Sequence, residues 1–187
     1  MQVVLDADGV DHGLRRIAGE IAQRTPSAEG CVLVGIRRGG VPVAARIAAQ
    51  LREIGRQDIA LGTMDITFYR DDAATHLANP RVGPSDIPCS LDGRHVILVD
   101  DVLFTGRTVR AAMDALLDYG RPRRVQLAVL VDRGGRELPI QADYVVHGLH
   151  ITDEQRIDVV EEGGRLSAIV QAKSSPTAPP PPPGDLA

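Results

Sequence analysis

The sequence predicts an α/β domain: a central, mainly parallel sheet flanked by helices, with a small hood of short strands. Three observations carry that expectation. Apolar runs of strand character alternate along the chain with stretches of helical periodicity. Val96 to Val99 is β-branched and aliphatic with no polar break, which suits a strand buried on both faces of a parallel sheet. Beyond it, Val109, Ala112, Met113 and Leu116 recur at i, i+3, i+4 and i+7, one buried stripe of an amphipathic helix.

Taken in order, Leu14, Ile17, Ile21 and Ala22 predict a first helix beginning near Asp11, and Val32 to Ile36 a buried strand. Ala44, Ile47, Ala48, Leu51 and Ile54 mark a second helix, with Pro42 in its first turn, where a missing N–H breaks no helical bond. Ala60 to Tyr69 reads as a strand. From Ala73 to Pro88 periodicity is lost, and Pro80, Gly83, Pro84 and Pro88 predict a long, lid-like loop. The central strand and helix follow, with Gly120 expected in a left-handed conformation at the helix end and Pro122 just beyond. Val125 to Val131 and Tyr144 to His147 continue the sheet, and Arg156 to Val160 and Leu166 to Val170 supply the short strands. A single domain is expected over 1–171. Residues 172–187, with prolines unbroken from Pro179 to Pro183, are expected to form a disordered tail.

Composition sets the outer bounds. A chain of 187 residues suits one domain, and 43% hydrophobic with 25% charged residues is ordinary for a folded protein. The net charge of −4 argues against general attraction to nucleic acid, although local basic patches remain open. Lys173 is the one lysine, so a P-loop lysine, a Schiff base and an ammonium nucleophile are all excluded from the body of the chain. Cys31 and Cys89 are too few for a disulfide scaffold. With no apolar run near the ~18 residues a membrane helix needs, the expected location is cytoplasmic and no membrane partner is expected.

The chemistry concentrates after Val99. The apolar run ends in Asp100 and Asp101; a short turn, Thr105-Gly106-Arg107-Thr108, opens the helix. Helix-opening N–H groups lack internal partners and favour an anion by ~0.3–1 kcal/mol through the helix dipole alone. Thr105 and Thr108 add hydroxyls, and Gly106 admits close approach of the backbone. Acids that grip sugar hydroxyls beside a phosphate cradle suit a ribose 5-phosphate. Two adjacent acids at a buried strand end also repel each other unless a cation or hydroxyls arrive, which a simple helix cap would not require. Arg37-Arg38-Gly39-Gly40 is a second glycine-rich turn after a strand, and it matches neither dinucleotide nor P-loop patterns. Asp6-Ala7-Asp8-Gly9 mimics the nucleophile strand of haloacid-dehalogenase-type phosphatases, but the downstream lysine is missing, so these acids are read as introducing the first helix.

The stretch VILVDDVLFTGRTVRAAMDALLDYG resembles the phosphoribosyl pyrophosphate (PRPP) motif of type I phosphoribosyltransferases. More narrowly, Leu127 to Pro139 (LAVLVDRGGRELP) and Met64 to Asp72 (MDITFYRDD) resemble the PyrR family, bifunctional pyrimidine-operon regulators and uracil phosphoribosyltransferases. The resemblance spans most of Leu5 to Val170. It implies the type I phosphoribosyltransferase fold, transfer of phosphoribosyl from PRPP to uracil giving UMP and pyrophosphate, and UMP- and PRPP-dependent binding to the leader mRNA of the pyrimidine operon. Catalytic roles would fall to Asp100, Asp101 and Arg70. Asp100 and Asp101 would bind the ribose hydroxyls, and the stretch through Val102, Leu103, Phe104, Thr105, Gly106, Arg107 and Thr108 would hold the ribose and its phosphate. Arg37, Arg38, Gly39 and Gly40 would receive pyrophosphate. Val145, Val146, His147 and Gly148 would face the base. Mg²⁺ would arrive with PRPP, near Asp101, with no separate protein metal site, and a homodimer or larger homo-oligomer is implied.

This chain also departs from the family pattern. Arg38-Gly39-Gly40 stands where relatives read Thr-Arg-Gly, Gly135 where they carry His, Val146-His147-Gly148 where they carry Gly-Lys-Asn, and Gly19 where a His is common. Ile151 to Gln155 replaces a Thr-Ser-basic-Ser-Glu segment. Between Asp153 and Arg165 five acids face two arginines, whereas RNA affinity rests on basic residues neutralising phosphates. Arg15, Arg16 and Arg24, with Arg121, Arg123 and Arg124, are the remaining basic candidates. A phosphoribosyltransferase for a different base, or a nucleotide-sensing paralogue without RNA binding or catalysis, is the alternative.

Overall fold

Five parallel strands form the main sheet, in the order β3-β2-β4-β5-β6. The structure, a computed structural model, describes residues 1–25, 30–57, 59–69 and 85–173. The strands are β2 (Cys31–Ile36), β3 (Ala60–Met64), β4 (His95–Leu103), β5 (Arg124–Asp132) and β6 (Tyr144–Gly148). Alternate side chains separate two cores. Leu33, Ile97, Val99 and Leu130 pack beneath α1 (Ala7–Arg24) and α2 (Gly40–Glu53), while Val32, Val34, Val96 and Leu98 pack against α3 (Arg107–Leu116). Period-2 alternation of apolar residues on both faces is why these strands read as unbroken apolar runs.

The hood is a three-stranded antiparallel sheet, β1 (Gln2–Leu5), β8 (Arg165–Ala172) and β7 (Gln155–Glu162), in the order β1-β8-β7. Its Ile157, Leu166, Ala168 and Val170 join the core under α1 and α2. Arg46 of α2 ties the hood hairpin down through Glu161 Oε1 (2.9 Å) and the Gly164 carbonyl (2.6 Å).

Several expectations shift. The first helix begins at Ala7, because the Asp6 side chain caps it by accepting from the Gly9 amide at 2.8 Å. The predicted strand from Ala60 stops at Met64: Asp65 Oδ1 accepts from Thr67 N (2.8 Å) and Thr67 Oγ1 (2.5 Å), turning the chain into a 3-10 turn over Thr67–Tyr69. Met113 leaves the predicted buried stripe and is 46% exposed, since α3 buries Ala111, Ala112 and Ala115 instead. Ile54 lies past the end of α2 and is exposed. Gly120 has positive φ (129°) with extended ψ (−174°), following a 3-10 turn over Leu117–Tyr119 instead of a left-handed cap. The last strand reaches Ala172, and the Lys173 amide donates to Glu154 O at 2.7 Å. Arg70, most of the long loop and the proline tail lie outside the described residues.

Candidate active site

The crevice between β2 and β4 is where the sheet changes direction, since β3 follows β2 to one side and β5 follows β4 to the other. Ligands of open α/β sheets bind at the carboxyl ends of strands at such a point. The Arg37–Gly40 turn meets the acid-bearing end of β4 there. A Cβ built on Gly39 would fall 1.9 Å from Asp101 Oδ2, and one on Gly40 would fall 2.1 Å from the Val99 carbonyl oxygen. Only glycine permits that approach. The Arg37–Arg38 peptide is cis, both arginines are exposed, and Gly40 opens α2, whose first turn carries no acid and no side-chain cap. In that first turn the Val41 amide donates to Arg38 O at 3.4 Å and Pro42 has no N–H, so Gly40 and Val43 carry the remaining amides of the helix start.

Asp100 and Asp101 belong to β4 itself, which runs on to Leu103. Asp100 is buried and its Oδ1 accepts from the Asp101 amide at 3.0 Å; Asp101 Oδ1 accepts from the Val102 amide at 2.9 Å. Burial, and then the neighbouring Asp101 charge, push the Asp100 carboxyl well above the usual carboxylate range. The repulsion expected of adjacent acids is thus met by holding Asp100 toward its neutral form, leaving Asp101 as the half-buried acid that faces the loop.

Past β4 the chain turns through Gly106 in the left-handed region (φ 92°) and enters α3. No acid sits in the first turn of α3, and Arg107 pairs with Glu137 at 2.7 Å. Thr105 Oγ1 accepts from the Arg107 amide at 3.3 Å, and Thr108 is half-buried at the helix start. Leu103 packs into the α3 core and Val102 against the opposite one, so these two offer backbone only.

The register places β6 level with the acids: Asp100 pairs with Val129 and Val129 with Val145, while Leu103 pairs with Asp132 and Asp132 with Gly148. Val145 packs on the α3 side and Val146 on the other, against Gly13 of α1. His147 is half-buried and Gly148 exposed at the strand end.

The segment after β5 holds features that sequence reasoning used only as a signature. The Arg133 guanidinium is buried and stacks 3.8 Å from the centroid of the Phe104 ring. Arg136 reaches Asp132 Oδ2 (2.5 Å), Ile140 O (2.9 Å) and Phe104 O (2.9 Å). The Asp-x-x-x-Arg spacing was the available signal, but the contact to Phe104 crosses 32 residues and is invisible locally.

A family model, the phosphoribosyl transferase domain, matches residues 4–170. The Bifunctional protein PyrR of Geobacter sulfurreducens is 54% identical over 158 residues, covering 84% of this chain and 89% of that protein. The chain belongs to the PyrR family. A second Bifunctional protein PyrR, from Bacillus cereus, is 52% identical over 159 residues, with 84% of this chain and 88% of the relative covered. Among solved structures, a hypoxanthine phosphoribosyltransferase of Trypanosoma cruzi aligns with a TM-score of 0.66 over 90% of this chain and 95% of that one, at 18% identity. That likeness establishes the type I phosphoribosyltransferase fold for this PyrR-family chain. No helix among the described residues is long and apolar enough to cross a membrane.

Among its described residues the PyrR-family chain has no group of three or more His, Cys, Asp or Glu able to enclose a metal. Asp101, half-buried with the buried Asp100 behind it, fits a different case, a Mg²⁺ that keeps its waters and takes its remaining ligands from substrate phosphates.

Proposed function

We propose that this protein transfers the phosphoribosyl group of PRPP to uracil, giving UMP and pyrophosphate, and regulates pyrimidine-operon expression by binding the leader mRNA in response to UMP and PRPP. The observation that carries the enzymatic part is the meeting of Gly39 with the Asp101 carboxylate at the switch point of the sheet.

The chain's own residues then divide the work. Asp101 and Asp100 accept from, or donate to, the ribose hydroxyls and fix the ring. The turn Thr105 to Thr108 and the start of α3 hold the phosphate, and Arg37 to Gly40 with the start of α2 receive the pyrophosphate. Asp101, with Asp100 behind it, would hold a Mg²⁺ brought with PRPP, which would offset the pyrophosphate charge. A uracil nitrogen forms the bond to the ribose C1 as the C1–oxygen bond to pyrophosphate breaks. The electron pair of that bond leaves with pyrophosphate, and the nitrogen's proton is lost as uracil binds partly ionised. Cationic character that builds at C1 lies beside the Asp101 charge. Positioning, charge stabilisation and exclusion of water supply the acceleration. The β6 end, Val145 to Gly148, lies at the level of the acids and is the proposed base subsite, contributing backbone groups and His147.

For RNA, exposed Arg15, Arg121, Arg123 and Arg124 supply the basic surface of the fold, whereas Arg16 pairs with Glu20 and donates to the Val145 carbonyl. The segment from 153 to 165 contributes little, since Arg156 pairs with Asp158 and Arg165 with Asp8 and Asp11. A homodimer or larger assembly would cover Met113 on α3 and Leu117 in the 3-10 turn that follows it, both exposed.

The deciding experiment is UMP formation from uracil, PRPP and Mg²⁺, with Asp101→Asn as control. Product lost in the variant supports the assignment; PRPP binding without turnover on uracil moves it to another base. A leader-RNA titration at two salt concentrations tests the regulatory half, because phosphate neutralisation weakens steeply with salt.

A further inference from the structure

The turn that would hold the phosphate is itself held from behind. Three successive carbonyls of that turn are bound by the segment after β5. Leu103 O accepts from the Arg133 amide (3.1 Å), and Phe104 O from Arg136 Nη1 (2.9 Å). Thr105 O accepts from both the Glu137 and Leu138 amides (3.0 and 3.1 Å). In a planar trans peptide the N–H points opposite to the C=O of the preceding residue. Turning these carbonyls toward the β5 side therefore turns the amides of Phe104, Thr105 and Gly106 the other way. On that other side lies β2, with the loop where Gly39 meets Asp101. Consecutive amides aimed into one concavity make an anion cradle.

Arg136 is the one side chain in this clamp, and its geometry is specific. Nε donates to Ile140 O, Nη2 to Asp132 Oδ2, and Nη1 to Phe104 O, with a longer contact from Nη1 to Gly134 O (3.4 Å). A planar fork serves acceptors in those directions at once, and an ammonium does not. The same segment adds Glu137, whose carboxylate holds Arg107 at the mouth of the turn (2.7 Å).

We propose that Arg136 is a positioning residue for phosphoribosyl transfer. It locks the segment from 133 to 138 against the turn, and so presets the amides of Phe104, Thr105 and Gly106 for the ribose phosphate. The proposal rests on the transferase reading above and deepens it: the signature after β5 acts on PRPP through the backbone of another loop.

The test compares Arg136→Lys and Arg136→Met with wild type in initial rates, PRPP calorimetry and thermal melts. Both variants are expected to raise KM for PRPP about ten-fold or more, with KM for uracil within about two-fold. Keeping the charge in Arg136→Lys is expected not to restore PRPP affinity. A folded variant with unchanged PRPP affinity overturns the proposal, as does a parallel rise in both KM values. The wild-type protein gives an independent reading by amide NMR. Ribose 5-phosphate is expected to shift the amides of Phe104, Thr105 and Gly106 and to slow exchange at Glu137 and Leu138. Silence at those positions while ribose 5-phosphate binds elsewhere also overturns it. Wild-type protein that binds no PRPP would defeat the transferase reading as well, whereas normal wild-type binding with normal variants defeats this inference alone.

Discussion

Gly39 and Asp101 share one space: a Cβ on Gly39 would lie 1.9 Å from Asp101 Oδ2 and 2.2 Å from its Cγ. A loop and a strand end 62 residues apart are therefore matched atom to atom. Gly39→Ala displaces a side chain, so it is expected to cost about 1 kcal/mol of stability or less through a rotamer shift while abolishing PRPP turnover. Gly40→Ala instead drives a methyl into the Val99 carbonyl at 2.1 Å, which is backbone and does not yield. Its expected penalty is about 3 kcal/mol or more, seen as a large drop in Tm or insoluble protein. Equal melting losses in the two variants would contradict this division.

The Asp100 carboxyl gives stability a pH signature. Its folded pKa is raised by burial and by Asp101, so the folded state binds its proton more tightly than the unfolded state does. The native state is accordingly unpenalised at acid pH and loses stability as pH rises above the ordinary aspartate value. Asp100→Asn removes that loss. Its Tm advantage over wild type is expected to be near zero at about pH 4 and to grow toward pH 8, at about 2–4 °C per kcal/mol for a chain of this size. A constant difference between the two proteins across that range would show that Asp100 stays ionised. Activity is expected to fall even as stability rises, the usual conflict at a site built around a buried acid.

What was legible in the sequence was local. The buried run to Val99, the acids after it and the glycine turn into α3 follow from adjacent residues, as does the glycine-rich turn after β2. What escaped depended on partners distant in the chain or on competition between neighbours. β1 lies outside the elements the sequence predicted, and it pairs with β8, near the end of the chain, apart from the main sheet. Met113 carries the larger apolar surface, but the face of α3 that is buried is built on Val109, Ala112 and Leu116 with the small Ala111 and Ala115. β3 ends at Met64 because one Asp65 carboxylate takes two local donors, a choice that propensity averages over. The Arg136 clamp binds carbonyls of another loop, and carbonyls carry no sequence identity.

At the opposite end of β4, His95 is a pH element of the reverse sign. It is buried, with Nε2 2.8 Å from Gln126 Oε1 and Nδ1 3.4 Å from Thr25 Oγ1. Burial lowers its pKa against the opposing Gln126 hydrogen bond, with Arg124 and Arg123 adding to the lowering and Asp143 opposing it. Such a histidine leaves stability intact above its ordinary pKa and removes it as pH falls below about 6.5, when the unfolded chain takes up the proton first. Wild-type Tm is expected to lose ground to His95→Gln between about pH 7 and pH 5. Should the two melt in parallel over that interval, His95 would be titrating as freely folded as unfolded.

Gly135 stands where the family resemblance implies a His, and the space around it is tight. Its φ of 72° is left-handed, and a Cβ there would approach Phe104 Cε2 to 2.5 Å. Phe104 is fixed from the other direction by the Arg133 guanidinium stacked 3.8 Å away. Gly135→His therefore meets two penalties, about 1–2 kcal/mol for the backbone conformation and a further displacement of the ring. Melting is expected at a Tm lower by several degrees, about 2–4 °C for each kcal/mol. Moving the ring also disturbs the Phe104 carbonyl that Arg136 holds, so PRPP affinity is expected to weaken alongside. The double variant Phe104→Ala, Gly135→His separates the two penalties: relieving the ring contact recovers the steric part of the Tm loss and leaves the backbone part. Full recovery would mean that the left-handed backbone was never a cost, and no recovery would mean that Phe104 was never in the way.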